Sequence, residues 1–407
     1  MILDIIRKKA CNLELTREEL ETIFNGYLHD EVKDYQMSAF LMAICINDMS
    51  DSEIFALTDI FIKSGDVLDL SFMPFKVIDK HSTGGVGDKT TLIVAPIVAS
   101  LGVAVVKMSG RGLGYTGGTI DKLESIPNFK VDLSEDEIKK QAIDIGIVVT
   151  SQNEDLVPLD KKVYALRDVT ATTNSIPLIA SSIMSKKIAS GADGIVIDIK
   201  VGSGALIKTR KEAERLANII IKIGNYYQRE VRTIISDMNT PLGRCIGNKL
   251  EVFEAIDVLQ NKVKGPLYDT CLEIASKMVS MGKNISEKEA LKEVVSSIER
   301  KEAYKKFLQL VKYQGGDLEK LEIKARVYNI KANKSGVLKN IDALEIAKLS
   351  KSLGAGRNSK DEEIDYNAGV VLTKEIGDKI SEGDILANLY TNIDKLDFNV
   401  ERIFEIS

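Results

Sequence analysis

Two glycine-rich segments carry the residues best suited to chemistry in this chain. The first, DKHSTGGVGDKTT at 79–91, follows a predicted strand and leads into an apolar helical run. Its glycines allow the backbone to turn sharply and bring several N–H groups to one point. The start of the helix behind them adds a partial positive charge, and Lys80, Ser82 and Thr91 add an ammonium group and two hydroxyls. This combination predicts an anion-binding site.

The second segment, KMSGRGLGYTGGT at 107–119, follows the next predicted strand. The GxGxxG pattern of dinucleotide-binding proteins is matched by Gly112, Gly114 and Gly117. That alternative stays open, but the segment is the second strand–helix turn and is rich in hydroxyls and bases. The first segment departs from a P-loop, because Asp88 separates Gly87 from Lys89. Two neighbouring anion-binding turns at successive strand ends are better explained by one shared phosphate.

A third segment, LRDVTATTNSIPLIASSIMSKK at 166–187, combines a polar turn with a predicted helix. Ser182 and Lys186 are four residues apart and therefore project from one face of that helix. Arg167 lies upstream in the threonine-rich turn. The alternative interpretation is that Lys186 and Lys187 form an ordinary solvated helix end.

A fourth segment, DIKVGSGA at 198–205, reads as a strand that ends in another glycine turn. Asp198 and Lys200 share one face of this strand, and the simplest interpretation is a structural ion pair. The two histidines differ in context. His81 lies inside the first glycine-rich segment and either contacts a substrate or packs against that segment, whereas His29 is expected at a helix end.

Composition limits the classes of protein that fit. The chain has 407 residues, of which 44% are apolar and 28% charged, so a globular protein of two or three domains is expected. A net charge of −5 does not favour a nucleic-acid partner. No apolar stretch reaches membrane-spanning length, and the N-terminus lacks a secretory pattern. The four cysteines are far apart, which predicts a reducing, cytoplasmic location.

The elements that must position these residues follow from the pattern along the chain. Helices are predicted over the first 65 residues, where Thr16–Glu19 and Ser50–Glu53 have capping-box spacing. Short β-branched runs then alternate with helices, which indicates a mostly parallel sheet covered by helices. Residues 155–191 form a helical interruption. Residues 251–313 are expected to be a charged, solvated helical layer, and strands return after about residue 320 in a small α+β domain.

Read together and in order, the four segments resemble the signature segments of the thymidine and pyrimidine-nucleoside phosphorylases, and the similarity covers essentially the whole chain. The resemblance implies an all-α domain (1–65 plus about 155–191), an α/β phosphate-binding domain (about 70–154 plus 192–315) and a C-terminal α+β domain (about 320–407). It also implies a homodimer and an active site in the cleft between the first two domains.

The family pattern assigns site residues position by position. The phosphate ligands would be Lys80, His81, Ser82, Thr91, Lys107, Met108, Ser109 and Thr119. The pyrimidine ring would be held by Arg167, Ser182 and Lys186, and the catalytic residues would be His81, Arg167 and Lys186. Relatives of the Gram-positive type also bind potassium, and their pattern maps to Gly87, Lys89 (through its main-chain oxygen), Leu242, Cys245 and Glu254. Tyr115 departs from the histidine that many relatives have there, which puts a proton role at that position in doubt.

The activity implied is reversible phosphorolysis of a pyrimidine nucleoside (uridine, thymidine or deoxyuridine) to the free base and (deoxy)ribose 1-phosphate. Phosphate is then the co-substrate, without an organic cofactor, and Lys107 favours the broad-specificity type. Three alternatives remain open. They are a strict thymidine phosphorylase, an enzyme similar to anthranilate phosphoribosyltransferase, and a non-catalytic nucleoside- or anion-binding protein.

Overall fold

Four helices form the beginning of the chain, as the capping patterns predict. The computed structural model describes residues 1–112, 117–152, 155–357, 362–394 and 398–407. The helices are α1 (Ile2–Ala10), α2 (Arg17–Leu28), α3 (Asp34–Asn47) and α4 (Asp51–Lys63). The hydroxyls of Thr16 and Ser50 each accept a hydrogen bond from the main-chain N–H three residues on. The carboxylates of Glu19 and Glu53 in turn accept the main-chain N–H groups of Thr16 and Ser50. His29 ends α2 and is exposed, as expected.

A parallel sheet follows, and it sets the position of the glycine-rich segments. Its strands are β1 (Ile78–Ser82), β2 (Val105–Ser109), β3 (Ile147–Ser151), β4 (Gly194–Val201) and β5 (Glu230–Asp237). Strand β4 pairs in parallel with β1 and β5, and β2 pairs in parallel with β3. A parallel bridge between Val77 and Ala104 joins the two sets, so the strand order is 3-2-1-4-5. The carboxyl ends of β1 and β2 therefore lie side by side, at the edge where such sheets bind ligands.

Helices cover both faces of this sheet. They are α5 (Thr90–Ser100), α6 (Thr119–Glu124), α7 (Glu135–Ile145), α8 (Pro158–Val169), α9 (Ile176–Ala189), α10 (Arg210–Tyr226), α11 (Asn248–Leu259), α12 (Pro266–Lys283), α13 (Glu287–Glu299) and α14 (Glu302–Tyr313). Helices α8 and α9 pack back onto α2, α3 and α4, so the 155–191 interruption joins the N-terminal helices. In the part of the chain that the structure describes, no helix has the length and apolarity needed to cross a membrane.

The interpretation of residues 251–313 as a solvated layer is wrong for α12. This helix packs against β1, β4, β5 and α5, and its buried face includes Cys271, Ile274 and Met278. The charges that suggested a solvated layer lie on the opposite side of an amphipathic helix. Helix α12 is thus part of the core beneath the sheet.

The chain ends in antiparallel structure, as predicted for the α+β domain. The elements are β6 (Cys245–Ile246), β7 (Arg326–Lys331), β8 (Gly336–Ile341), α15 (Ala343–Ser350), β9 (Gly369–Leu372), β10 (Lys379–Ile380), β11 (Ile385–Thr391), α16 (Val400–Ile403) and β12 (Phe404–Ile406). One sheet has the order β6-β9-β11-β7 and the other β10-β8-β12. Strand β6 comes from the region before α11, so this sheet is tied directly to the α/β part through the pairing of Cys245 with Val371.

The core consists of two apolar clusters, one on each face of the parallel sheet. Alternate residues of a strand point to opposite faces, so Val105 belongs to the cluster with α5 and α12, and Val106 to the cluster with the N-terminal helices. Val196 and Ile197 on β4 divide in the same way. Burial on both faces explains why β3 and β4 carry β-branched apolar residues on both sides rather than an alternation of apolar and polar residues.

Candidate active site

The first glycine-rich segment folds its lysine against the start of a helix. Lys80 lies on β1, is only 2% exposed, and donates through Nζ to the hydroxyls of Thr90 and, at 3.4 Å, Thr91. These two threonines open α5, whose first N–H groups have no partner within the helix. Asp88 Oδ1 lies 4.0 Å from the same ammonium group. The turn therefore joins a buried cation, two hydroxyls and a helix N-terminus at one point.

Lys107 differs from the other lysines in this region, because it has no ion pair with a carboxylate among the described residues. It lies on β2, is 4% exposed, and donates through Nζ to the main-chain oxygen of Lys80 at 2.6 Å. No carboxylate among the described residues forms an ion pair with it. Burial, followed by the neighbouring charge of Lys187, holds the pKa of Lys107 well below its usual value. A buried amine without a counter-ion is stabilised by an anion that binds beside it.

His81 lies between the lysines of the two glycine-rich segments and the third segment. Burial, followed by the charges of Lys187, Lys107, Lys186 and Lys80, holds the pKa of its imidazole well below 6.5. The ring is therefore neutral near neutral pH. In that state one nitrogen donates a hydrogen bond, and the other accepts one. His81 is suited to hydrogen bonding with a substrate rather than to carrying a positive charge.

The interpretation of Lys187 as part of a solvated helix end is wrong. Its side chain is 2% exposed, and its Nζ lies 2.7 Å from Oδ2 of Asp79 and 3.4 Å from the main-chain oxygen of Met108. Lys187 thus ties α9 to β1 and β2. The signal that could have indicated this pair is Asp79, a carboxylate at the head of a segment that is otherwise suited to anions.

Ser182 and Lys186 lie on one face of α9, as their spacing predicts. Lys186 Nζ donates to the Ser182 hydroxyl at 2.8 Å, and that hydroxyl donates to Asp160 Oδ2 at 3.0 Å. Lys186 also forms an ion pair with Asp160. Asp160 is fully buried in the first turn of α8, and its Oδ1 has no hydrogen-bond partner among the described residues. Sequence reasoning missed Asp160, because its partners lie more than twenty residues further along the chain.

Arg167 holds the turn between α8 and α9. Its guanidinium group is buried and donates to the main-chain oxygens of Thr172 at 3.2 Å, Thr173 at 3.0 Å and Leu178 at 3.3 Å. The ring of Tyr164 lies 5.5 Å from the guanidinium carbon. Guanidinium has five N–H donors, so two remain for a ligand. Arg167 therefore has a structural role that the sequence interpretation, which gave it only to the base, did not include.

The remaining predicted phosphate ligands lie at the same edge of the sheet. Ser82 ends β1, Met108 and Ser109 end β2, and Thr119 begins α6. The fold brings the strand positions to one edge because β1 and β2 are adjacent and parallel, and Thr119 follows Gly118, which lies against Arg111 and Gly112 just after β2. Gly114 and Tyr115 lie outside the described residues.

The predicted ion pair on β4 is confirmed, and it lies beneath the first glycine-rich segment. Lys200 Nζ is 2.6 Å from Asp198 Oδ2, and both side chains are fully buried. The Ser236 hydroxyl donates to Asp198, and the main-chain N–H of Lys200 donates to the hydroxyl of Thr83 at 2.9 Å. The strand that carries this ion pair is therefore hydrogen-bonded to the first glycine-rich segment through Thr83.

The residues predicted to bind potassium converge, but they converge on an ammonium group. The acceptors of Lys89 Nζ are the main-chain oxygens of Leu242 at 2.9 Å and Cys245 at 2.7 Å, and Oε2 of Glu254 at 2.6 Å. The carbonyl oxygen of Gly87 accepts the main-chain N–H of Lys89 at 2.9 Å. The predicted ligand set does not fit a resident potassium ion, because the Lys89 side chain lies where the oxygen atoms meet.

The charge on Lys89 is supported by its surroundings. Burial favours the neutral amine, but the carboxylates of Glu254 and Glu251 outweigh that effect and raise the pKa of Lys89. Lys89 is therefore an ammonium group. The carboxylate of Glu254 that pairs with it also accepts hydrogen bonds from the main-chain N–H groups of Arg244 at 2.7 Å and Cys245 at 3.0 Å.

Comparison with known proteins agrees with this architecture. Family models described as "Glycosyl transferase family, helical bundle domain" and "Glycosyl transferase family, a/b domain" match residues 3–65 and 75–304. A model described as "Pyrimidine nucleoside phosphorylase C-terminal domain" matches residues 337–404. The crystal structure of anthranilate phosphoribosyltransferase from Thermus thermophilus has a similar fold, with a TM-score of 0.61 at 17% identity over 76% of this chain and 99% of that chain. Fold and site together define a glycosyltransferase.

Curated relatives narrow the class. The chain is 47% identical to the pyrimidine-nucleoside phosphorylase of Staphylococcus haemolyticus (strain JCSC1435), over 99% of this chain and 95% of the relative. It is 48% identical to the pyrimidine-nucleoside phosphorylase of Staphylococcus epidermidis (strain ATCC 12228), over 97% of this chain and 93% of the relative. It is 47% identical to the pyrimidine-nucleoside phosphorylase of Bacillus subtilis (strain 168), over 99% of this chain and 95% of the relative. The chain belongs to the pyrimidine-nucleoside phosphorylase family.

Proposed function

We propose that this protein catalyses the reversible phosphorolysis of uridine, thymidine and deoxyuridine. The observation that carries the proposal is Lys107, a buried amine without a carboxylate partner among the described residues, at the edge where β1 and β2 end. Inorganic phosphate is the co-substrate that supplies the missing negative charge. Lys80, Ser82, Thr91, Ser109 and Thr119 bind its oxygens, together with main-chain N–H groups.

In the reaction, a phosphate oxygen forms a bond to the anomeric carbon while the bond from that carbon to the pyrimidine nitrogen breaks. The electron pair of the broken bond goes to the pyrimidine, and the proton of the hydrogen phosphate ends on the free base. The site therefore has to stabilise negative charge on the departing ring. It also has to hold the two substrates in line, which can contribute about 7–11 kcal/mol.

The base side consists of Arg167, Ser182 and Lys186. Lys186 is held by Asp160 and Ser182, and its ammonium group faces negative charge that develops on the ring. The neutral imidazole of His81 donates a hydrogen bond to a ring oxygen as that oxygen becomes more basic. Arg167 contributes the two N–H donors that the turn does not use.

These groups come from two parts of the molecule. The phosphate residues belong to the proposed α/β domain (about 70–154 plus 192–315), and the base residues to the proposed all-α domain (1–65 plus about 155–191). A cleft between them is a usual place for a substrate site. Closure of this cleft would bring phosphate and nucleoside together and exclude water.

A phosphoribosyltransferase similar to anthranilate phosphoribosyltransferase is the less favoured alternative. The likeness to that enzyme concerns fold alone, whereas the relatives at 47–48% identity carry the phosphorylase name. A purely binding protein is disfavoured by the Asp160–Lys186 arrangement, since a buried carboxylate that orients a partly exposed ammonium group suits a reacting ligand.

We also propose a homodimer in the cytoplasm. Tyr35, Ala39, Met42 and Ile46 form an exposed apolar stripe on α3, with the 4-3-4 spacing of helices that pack against helices. The cytoplasmic location rests on the wide separation of the four cysteines. Potassium is not included in the proposed function, because Lys89 already contacts three of the predicted ligands.

Rates on a panel of nucleosides test the breadth of the activity. With phosphate present, we expect uridine, thymidine and deoxyuridine to be cleaved at comparable rates. Cytidine is expected to be cleaved poorly, because its amino group cannot accept the hydrogen bonds offered at the base site. Loss of the nucleoside absorbance band measures each rate. A rate on uridine more than about a thousandfold below that on thymidine would instead identify a strict thymidine phosphorylase.

A further inference from the structure

The ammonium group of Lys89 has the surroundings of a bound monovalent cation. Its side chain is 0% exposed, and its three N–H donors match three oxygen acceptors within 2.9 Å. Two of these acceptors are main-chain carbonyls and the third is a carboxylate. Neutral and anionic oxygens of this kind are also the ligands of hard cations.

A metal ion and this ammonium group cannot share the position. Two unit charges about 4 Å apart repel by about 4 kcal/mol at the effective dielectric constant of a protein surface. The space is also limited, because a Cβ added to Gly87 would lie 2.7 Å from the Leu242 oxygen and 3.5 Å from the Cys245 oxygen. The site therefore accepts one cation, and the chain supplies it.

The position of Lys89 gives this cation a function. Lys89 immediately precedes Thr90 and Thr91, whose hydroxyls contact the phosphate-side Lys80. Its ammonium group ties the end of the first glycine-rich segment to Glu254 on α11. It also ties that segment to Cys245, which pairs with β9 of the C-terminal sheet. The Lys89 side chain thus links the first glycine-rich segment to α11 and, through Cys245, to the C-terminal sheet.

We propose that the ammonium group of Lys89 is a built-in cation that takes the place of potassium and positions the phosphate-binding segment without any inorganic monovalent ion. Lys89 is a positioning residue, since it contacts main-chain and carboxylate oxygens rather than substrate. The inference concerns the scaffold of the proposed site and is tested by stability and ion binding. Its failure is therefore distinguishable from failure of the proposed phosphorolysis.

Two substitutions separate loss of charge from loss of volume. Lys89→Ser removes the ammonium group, opens space beside the three oxygens and places a favourable residue at the N-cap of α5. Lys89→Met removes the charge but retains most of the volume, so it leaves no room for an ion. Melting temperatures are measured for all three proteins in potassium, sodium and tetramethylammonium chloride at equal ionic strength.

For the unsubstituted protein, we expect the same melting temperature in the three salts. Both variants should melt about 5 °C lower in tetramethylammonium chloride, since a buried carboxylate loses its partner. Potassium should restore the Lys89→Ser variant along a saturable curve and leave Lys89→Met unchanged.

Crystals of the unsubstituted protein soaked in thallium give a second measurement that does not depend on the variants. We expect no anomalous peak among the oxygens of Leu242, Cys245 and Glu254. A peak there, a saturable stabilisation of the unsubstituted protein by potassium alone, or an unchanged melting temperature of Lys89→Ser without potassium would each overturn the proposal.

Discussion

At the scale of single residues, the candidate site contains several buried or partly buried lysines, and only some of them are paired with a carboxylate. Lys186 and Lys187 each have a buried aspartate, whereas Lys107 has only a main-chain oxygen among the described residues. The sequence predicts Lys80 and Lys186 as site residues from a glycine-rich and a helical pattern, and Lys107 from the family resemblance. It did not identify Asp160 or the burial of Lys187, because the Asp79–Lys187 pair spans 108 positions and local spacing carries no information about such contacts.

The state of His81 gives a prediction at this scale. Because burial and the lysine charges hold the pKa of His81 well below 6.5, its imidazole NMR signal should not titrate between pH 8 and about pH 6. Phosphate should raise that pKa, since its negative charge offsets the lysines. The chain has two histidines, so a His29→Asn variant assigns the signals.

The same pKa shift has a consequence for stability. Folded His81 stays neutral while the unfolded chain binds a proton below about pH 6.5, so stability falls as the pH falls through that value. The loss from this residue approaches about 1.4 kcal/mol per pH unit. A His81 signal that titrates near pH 6.5 without phosphate would contradict this account.

At the scale of elements, the turn between α8 and α9 depends on one side chain. Replacement of Arg167 by methionine removes the guanidinium donor from the carbonyl oxygens of Thr172, Thr173 and Leu178. We expect a loss of about 3 kcal/mol of unfolding free energy. Amide hydrogen exchange should become faster across residues 170–178, and uridine cleavage should be lost.

Ser182→Ala is the matched control for this change. It removes a base-side hydroxyl that bonds Asp160, so activity should fall while exchange across 170–178 stays unchanged. Equal exchange in the Arg167→Met variant and the unsubstituted protein would show that Arg167 serves the base alone, as the sequence suggested.

Element types were predictable where the local pattern is sufficient. The capping boxes at Thr16 and Ser50 specify helix starts, and the β-branched runs of β3 and β4 indicate strands, without any long-range information. The burial of α12 was missed because residues 251–313 were interpreted as a single charged layer, although α12 itself carries an apolar stripe that faces the sheet. The two-residue strand β6 was also missed, since only its pairing with β9 makes it a strand.

At the scale of the whole molecule, the apolar stripe on α3 predicts the oligomeric state. Tyr35 and Ile46 are 73% and 74% exposed, which is unusual for large apolar side chains that recur on one helix face. The double variant Tyr35→Glu, Ile46→Glu should be a monomer of 44.8 kDa by light scattering, and the unsubstituted protein should have twice that mass. Glutamates in an apolar interface lack counter-charges and are costly to bury.

Val327→Glu is the control, because Val327 is 52% exposed on β7, away from α3. This variant should retain the dimer. Dimers that survive the double substitution, or an unsubstituted protein that is monomeric, would exclude α3 as the contact.

The central claim is that phosphate is the nucleophile at the edge formed by β1 and β2. Product analysis is the most direct test of this claim. Uridine is incubated with the protein, with and without orthophosphate, and ultraviolet absorbance and ³¹P NMR follow the products. We predict that uracil forms only with phosphate and that one equivalent of ribose 1-phosphate appears with it. Uracil released equally without phosphate, or uridine left intact in its presence, would contradict the account.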